Sequence, residues 1–184
     1  MNSICVYCGS SPGDDPAFTK AARTIGNMAA DAGWRVVYGG GKMGLMGETA
    51  TSARDAGGAV YGVIPKFLTE IEGVLEDVEH KIVETMHERK MIMFEESDVF
   101  CTLPGGIGTL EEIIETLSWA RLSLHKKPII VANINNFWSP LQELLHHIVD
   151  RKFAPDFLLD SIVFVDKAED VLATAEAGLL RNKA

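Results

Sequence analysis

The chain has 184 residues, 47% of them apolar, which suits one well-packed domain over residues 1–184 and leaves little room for a second. Its 26 Asp and Glu outweigh 17 Lys and Arg to give a net charge of -9, a field that repels DNA, RNA and anionic lipid. Nucleic acid and membrane are thereby set aside as partners, while a local basic pocket for a small phosphate is still allowed.

The opening MNSICVYCGSS has no basic segment leading into a long apolar one, and no apolar run approaches the roughly 20 residues of a membrane span, so a cytoplasmic protein is expected. Short apolar, β-branched runs then recur along the chain: ICVYC at 4–8, RVVYG at 35–39, AVYGVI at 59–64, KIVE at 81–84, DVFCTL at 98–103, PIIVANI at 128–134 and SIVFV at 161–165. Amphipathic patterns separate them at 15–32, 44–57, 86–96, 108–125, 138–152 and 168–180. Strands of near-continuous apolar character alternating with helices predict a doubly wound, Rossmann-like α/β fold: a parallel sheet of about seven strands with helices on both faces. The closing RNKA is expected to fray. Three cysteines make no disulfide framework. Cys5 and Cys8 have the spacing of a redox or zinc half-site, but on a strand residues three apart face opposite ways, so plain buried thiols are expected.

In such a fold ligands bind beyond the carboxyl ends of the strands. Three loops at those ends are rich in glycine or small polar residues: CGSSPG at 8–13, which contains Gly9 and Ser10, GGGKMGLMG at 39–47, which contains Gly40 and Gly41, and PGGIGT at 104–109. Each could hold a phosphate on bare amides at a helix start. Gly39, Gly41 and Gly44 fit G-x-G-x-x-G, but Lys66 stands where a dinucleotide fold places the acid for the ribose, and the motif follows the second strand, which argues against NAD or flavin. Tight turns and close helix packing explain Gly44 and Gly47 equally well.

PGGIGTLEE is chemically more coherent. Pro104 ends a strand, Gly105, Gly106 and Gly108 clear an approach, and Thr109 offers a hydroxyl and an amide. The same Thr109 and Glu112 also have the spacing of a capping box, and spacing does not separate the two readings. Near a helix start Glu112 is expected to stay ionised at neutral pH, a poor proton donor suited to stabilising a developing cation or to orienting water, as in glycosidic cleavage. Glu111 and Glu112 diverge by about 100° on a helix, so only one can face a pocket. In MHERK, at 86–90, Arg89 falls between Met86 and Met93 on an apolar stripe. It either binds an anion through its guanidinium fork or lies along apolar surface with its head in water. His125, His146 and His147 have no partner at metal-ligand spacing, so no metal is expected, and His87 reads as a supporting or capping residue.

MHERK followed 14 residues later by PGGIGTLEE resembles the Lonely Guy (LOG) family, the cytokinin riboside 5'-monophosphate phosphoribohydrolases, and CVYCGSSPG, VYGGGKMGLMG and VIPKFL continue the likeness over residues 4–165. The resemblance implies a Rossmann-like homodimer with no added cofactor, its site near the subunit interface. Such an enzyme cleaves the N-glycosidic bond of adenine-type nucleoside 5'-monophosphates to free base and ribose 5-phosphate. It implies Arg89 and Glu112 as the catalytic pair. For the substrate it implies Lys90, Gly105, Gly106, Ile107, Gly108, Thr109 and Glu111, with Ser118 and the small residues Gly9, Ser10, Gly40 and Gly41. An acid preceding the arginine by about 18 residues corresponds to Glu70 or Glu72, and the sequence does not choose between them. Family members have also been labelled lysine decarboxylases, which would need pyridoxal phosphate on Lys42, Lys66 or Lys90, and no acidic partner for the pyridinium nitrogen is evident. Related carriers of molybdenum cofactor use similar glycine loops without catalysis and would have no need of Arg89 and Glu112 as a pair.

Overall fold

Runs buried on both faces form a sheet only if the strands alternate between two cores, and the computed structural model, which describes residues 1–182, shows this arrangement in its central strands. The strands are β1 (Ser3–Tyr7), β2 (Arg35–Tyr38), β3 (Val60–Pro65), β4 (Glu79–Val83), β5 (Val99–Thr102), β6 (Ile129–Ala132) and β7 (Val163–Val165). All pairings among them are parallel, in the order β4-β3-β2-β1-β5-β6-β7. The helices are α1 (Pro16–Asp31), α2 (Gly44–Asp55), α3 (Lys66–Glu72), α4 (Met86–Glu95), α5 (Ile107–Arg121), α6 (Ser139–Asp150), α7 (Phe157–Asp160) and α8 (Val171–Arg181). Ile4 and Val6 join a core under α1, α2 and α8, whereas Cys5 and Tyr7 join one under α4, α5, α6 and α7. Cys8 falls in the first core and Cys5 in the second, and both are free, buried thiols.

The expected architecture holds, with several local corrections. Strands β2, β5 and β6 stop short of Gly39, Leu103 and Ile134, because the glycine, the proline at 104 and a 3-10 turn at Ile134–Asn136 end the ladder. Helices α3 and α7 were not expected. Neither has the length to show a period; α3 buries no residue, and α7 buries only Leu158. Helix α8 starts at Val171 after a 3-10 turn, and the expected fraying falls in part on residues 183 and 184, outside those described. Among the described residues no helix is long and apolar enough to cross a membrane.

Two features of this frame place the site. Strand β1 has β2 on one side and β5 on the other, so the chain reverses direction across the sheet there and opens a crevice past the carboxyl ends of β1 and β5. Helices α1 and α2 approach closely because α1 presents Gly26, where a side chain would collide with the Thr49 carbonyl of α2. That contact presses the start of α2 against the loop after β1.

Candidate active site

Three loops meet at the crevice and brace one another through backbone. The Gly9 amide donates to the Pro104 carbonyl at 3.0 Å, and the Gly9 carbonyl accepts the Leu45 and Met46 amides of α2 at 3.0 and 3.3 Å. Gly44 turns with φ 59° against the Ser10 backbone, an approach and a conformation that a side chain would block. The first amides of α2 are therefore already engaged, and this G-x-G-x-x-G stretch packs loops together instead of presenting amides to a pyrophosphate. Lys66, at the start of α3, follows β3 where a dinucleotide site needs an acid.

The start of α5 differs. Its N-cap is Gly106, which offers no side chain, and the Ile107, Gly108 and Thr109 amides meet no acceptor among the described residues. The space over Gly106 and Gly108 is open. Gly105 lets the Thr109 side chain and the Gly9 amide close in, since a Cβ there would strike Thr109 Oγ1. The turn is held from behind by Trp138, whose indole N–H donates to the Leu103 carbonyl at 3.1 Å. The result is an anion cradle of bare amides at a long helix's positive end. The capping box expected of Thr109 and Glu112 is absent, because the helix begins at Ile107 and puts Thr109 in the third position and Glu112 in the sixth. The capping box of this region belongs to α4, where Thr85 Oγ1 accepts the Glu88 amide at 3.1 Å and the Glu88 carboxylate accepts the Thr85 amide at 3.1 Å. His87 is exposed and takes no part in that cap.

Arg89, one turn into α4, is only 7% exposed. Its head lies where a Cβ on Gly39 would be, against Met46, and its Nε is buried without a partner. The alternative of a head reaching water is thereby overturned. Glu112 is 9% exposed on α5, and its carboxyl forms no hydrogen bond or ion pair among the described residues. Its pKa is raised to about 7, burial lifting it most and Glu111 and Glu72 adding to the rise against the pull of Arg89 and Lys90. The expectation that the helix terminus keeps Glu112 ionised is corrected: the dipole fades within the first turn, the sixth position lies beyond it, and desolvation prevails.

Glu72 stands on the same crevice, its Oε2 buried without a partner, and a Cβ on Gly41 would lie 2.9 Å from it. Its carbonyl accepts the Lys42 amide at 3.4 Å, and Gly41 bridges Val74, so α3 is stitched to the β2 loop. Glu70 is exposed, and the structure thus favours Glu72 of the two acids. Lys90 is turned away from Glu112 into ion pairs with Glu111 at 2.5 Å and Glu115 at 3.1 Å. Ser118 lies six residues past Glu112, about 9 Å along the helix and on the face of Glu111 and Ile114, so one chain alone does not bring it to the crevice. The parts played by Gly39, Trp138 and the closely approaching Glu72 and Gly41 depend on long-range contacts, and only Gly39's place in a glycine run hinted at such a role.

A family model described as "Possible lysine decarboxylase" matches residues 46–175. The cytokinin riboside 5'-monophosphate phosphoribohydrolase LOG of Oryza sativa subsp. japonica is 39% identical over 174 residues, covering 94% of this chain and 72% of that protein. The enzyme of that name from Rhodococcoides fascians is 37% identical over 173 residues, covering 93% and 87%. The fold is shared with the molybdenum cofactor binding protein of Rippkaea orientalis (TM-score 0.75, 23% identity, 96% of each chain). It is shared also with the Moco carrier protein of Chlamydomonas reinhardtii (TM-score 0.74, 19% identity, 98% and 99% covered). Identity near two in five along almost the full chain, on a fold whose crevice gathers Arg89, Glu112 and a free helix start, makes this chain a member of the LOG family of phosphoribohydrolases.

Proposed function

We propose that this chain hydrolyses the N-glycosidic bond of adenine-type nucleoside 5'-monophosphates, cytokinin riboside 5'-monophosphates among them, to free base and ribose 5-phosphate. The observation that carries the reading is the pair Arg89 and Glu112, both buried and neither engaged in an ion pair among the described residues, beside the unoccupied amides of Ile107, Gly108 and Thr109. Opposite charges left apart in a desolvated cleft are costly unless a ligand completes them.

The 5'-phosphate takes the α5 amides and the Thr109 hydroxyl, where helix polarity favours an anion. As the bond from C1' to the base nitrogen breaks, its electron pair leaves with the base and the ribose becomes cation-like. The Glu112 carboxylate stabilises that charge and accepts a proton from the water whose oxygen bonds to C1', a role matched by a pKa of about 7. The departing base takes up a proton in turn. Arg89 holds the nucleotide or the carboxylate in register, and Glu72 is placed to accept hydrogen bonds from sugar hydroxyls. The residues present do not fit pyridoxal phosphate: Lys90 is bound by two carboxylates, Lys42 and Lys66 are exposed, and none is a desolvated amine ready for a Schiff base.

We also propose a homodimer. Ile107, Glu111, Ile114 and Ser118 form one outward stripe on α5, with Ile107 81% and Ile114 40% exposed, and across an interface Ser118 would serve the partner's crevice. The decisive test is incubation with AMP and with a prenylated analogue, followed by chromatography for base and ribose 5-phosphate. Release of both supports the hydrolase, whereas tight binding without cleavage would favour a carrier.

A further inference from the structure

Arg89 rides on α4 and Glu112 on α5, so their separation depends on how these helices are fixed to each other. Near the site one tether joins them, Lys90 to Glu111 and Glu115. A single tether leaves a pivot. One turn further along α4 the segment after α5 grips both helices, α4 at Phe94 in its last turn and α5 at Thr116 in mid-helix. His125 Nε2 lies 2.9 Å from the Thr116 carbonyl of α5, and His125 Nδ1 accepts the Lys127 amide at 3.1 Å. An amide only donates, so Nδ1 is bare and Nε2 carries the hydrogen given to Thr116. Lys127 Nζ donates at 2.6 Å to the Phe94 carbonyl, one of the terminal acceptors of α4, where a cation is favoured. The same ammonium stands 4.2 Å over the Phe94 ring, which His125 and Trp119 meet edge-on at 5.1 and 4.9 Å.

The polar chain continues toward the reaction centre. The Thr116 hydroxyl donates to the Glu112 carbonyl at 2.9 Å and, its hydrogen used there, accepts the Tyr7 hydroxyl at 3.2 Å. At His125 and Thr116 each hydrogen has one assigned acceptor, which gives this part of the series a defined polarity.

We propose that His125 and Lys127 are positioning residues, a clamp from the last turn of α4 to the middle of α5 that sets the spacing of Arg89 and Glu112. Together with the Lys90 tether, the clamp fixes the angle between the helices. Burial holds the Lys127 amine below its usual range, a cost that a methionine of similar length would not carry.

The kinetic part of the test rests on the glycosidase reading and uses the full chain with AMP. Lys127→Met and His125→Ala are expected to lower kcat roughly ten- to a hundredfold, the scale of a misplacement near 1 Å. The KM for AMP should stay within about threefold, because the phosphate cradle is untouched. The acid limb of the kcat profile should move upward as Arg89 loses its hold on Glu112. Lys127→Arg and His125→Gln retain the donors and should recover most of the rate. Unchanged kcat and limb in the deleting variants, or equal losses in deleting and conservative variants, would overturn the clamp. A second readout does not need activity: nitroxide labels at His87→Cys and Arg121→Cys, both exposed while the native thiols are buried, report the spacing between α4 and α5 when labelled chains are diluted in excess unlabelled parent. The distance distribution should broaden in Lys127→Met, and an unchanged distribution counts against the clamp. Absence of base release by the parent protein would sink the glycosidase reading and leave the label distances to judge the clamp by themselves.

Discussion

Residue types and spacing singled out Glu112 and Arg89 but left two readings of each, only the family resemblance made them a catalytic pair, and their chemistry depends on surroundings that spacing does not contain. The carboxyl is desolvated by residues far apart in sequence, which raises its pKa from 4.5 to about 7. If the carboxylate is the working form, kcat falls as pH drops through about 7, and Glu112→Gln abolishes that limb while costing on the order of 10²- to 10³-fold in rate. The same shift bears on stability. A folded-state pKa above the unfolded one means the fold binds the proton more tightly, so the contribution is full below about 4.5 and lost as pH rises through about 7. The difference across that window is on the order of 3 kcal/mol, and Glu112→Gln should flatten it, leaving the variant more stable than its parent at pH 8 in thermal or denaturant unfolding. A parent whose stability rises between pH 5 and 8 relative to the variant contradicts the buried carboxyl. Gly39 allows a sharper test. A methyl there would occupy the place of Arg89 Nη2, the far end of a flexible side chain, so Gly39→Ala should keep its fold while displacing the guanidinium. Activity should then drop by about the cost of a misplaced charge, 10²-fold or more, with a circular dichroism spectrum like the parent's.

At the level of elements, the strands and the longer helices were legible because apolar runs and helical periods survive any tertiary context. Helix starts were less so. Of the T-x-x-E patterns at Thr85–Glu88 and at Thr109–Glu112, only the first becomes a capping box. The difference lies in the residues before the second threonine: Gly105 and Gly106 permit the chain to turn early, so α5 begins with a glycine cap and three unclaimed amides. A sequence pattern that normally ends an argument about capping here conceals a binding surface. The capping box on α4 has its own measurable weight. Thr85→Ala removes the side-chain acceptor and should cost about 1 kcal/mol, a fall in Tm of roughly 2–4 °C for a chain of this size. Because Arg89 sits one turn beyond that cap, the same variant should lose somewhat more activity than stability alone explains. Parent-like activity per folded molecule would show that the cap does not set the position of Arg89.

For the whole molecule, the proposed homodimer turns on one face of α5. Glu111, Ile114 and Ser118 share a stripe with Ile107 on the open side of α5, and Met91 of α4 is 43% exposed next to it. A row of exposed branched side chains flanking a polar cleft is costly in water and gains by burial at about 25 cal/mol per Å². Two-fold pairing would place each stripe against its copy and bring Ser118 to the opposite crevice, making rate and assembly inseparable. Ile114→Arg places a charge at the centre of the stripe without touching either core, so the fold should persist. The expected outcome is a halved mass in light scattering coupled to chromatography, together with a loss of base release that returns at high protein concentration. Ser118→Ala in a still dimeric protein should raise KM with little change in mass. If Ile114→Arg leaves the mass unaltered, the stripe is not the interface. If the variant is monomeric and fully active, each crevice works alone and Ser118 has no part in it.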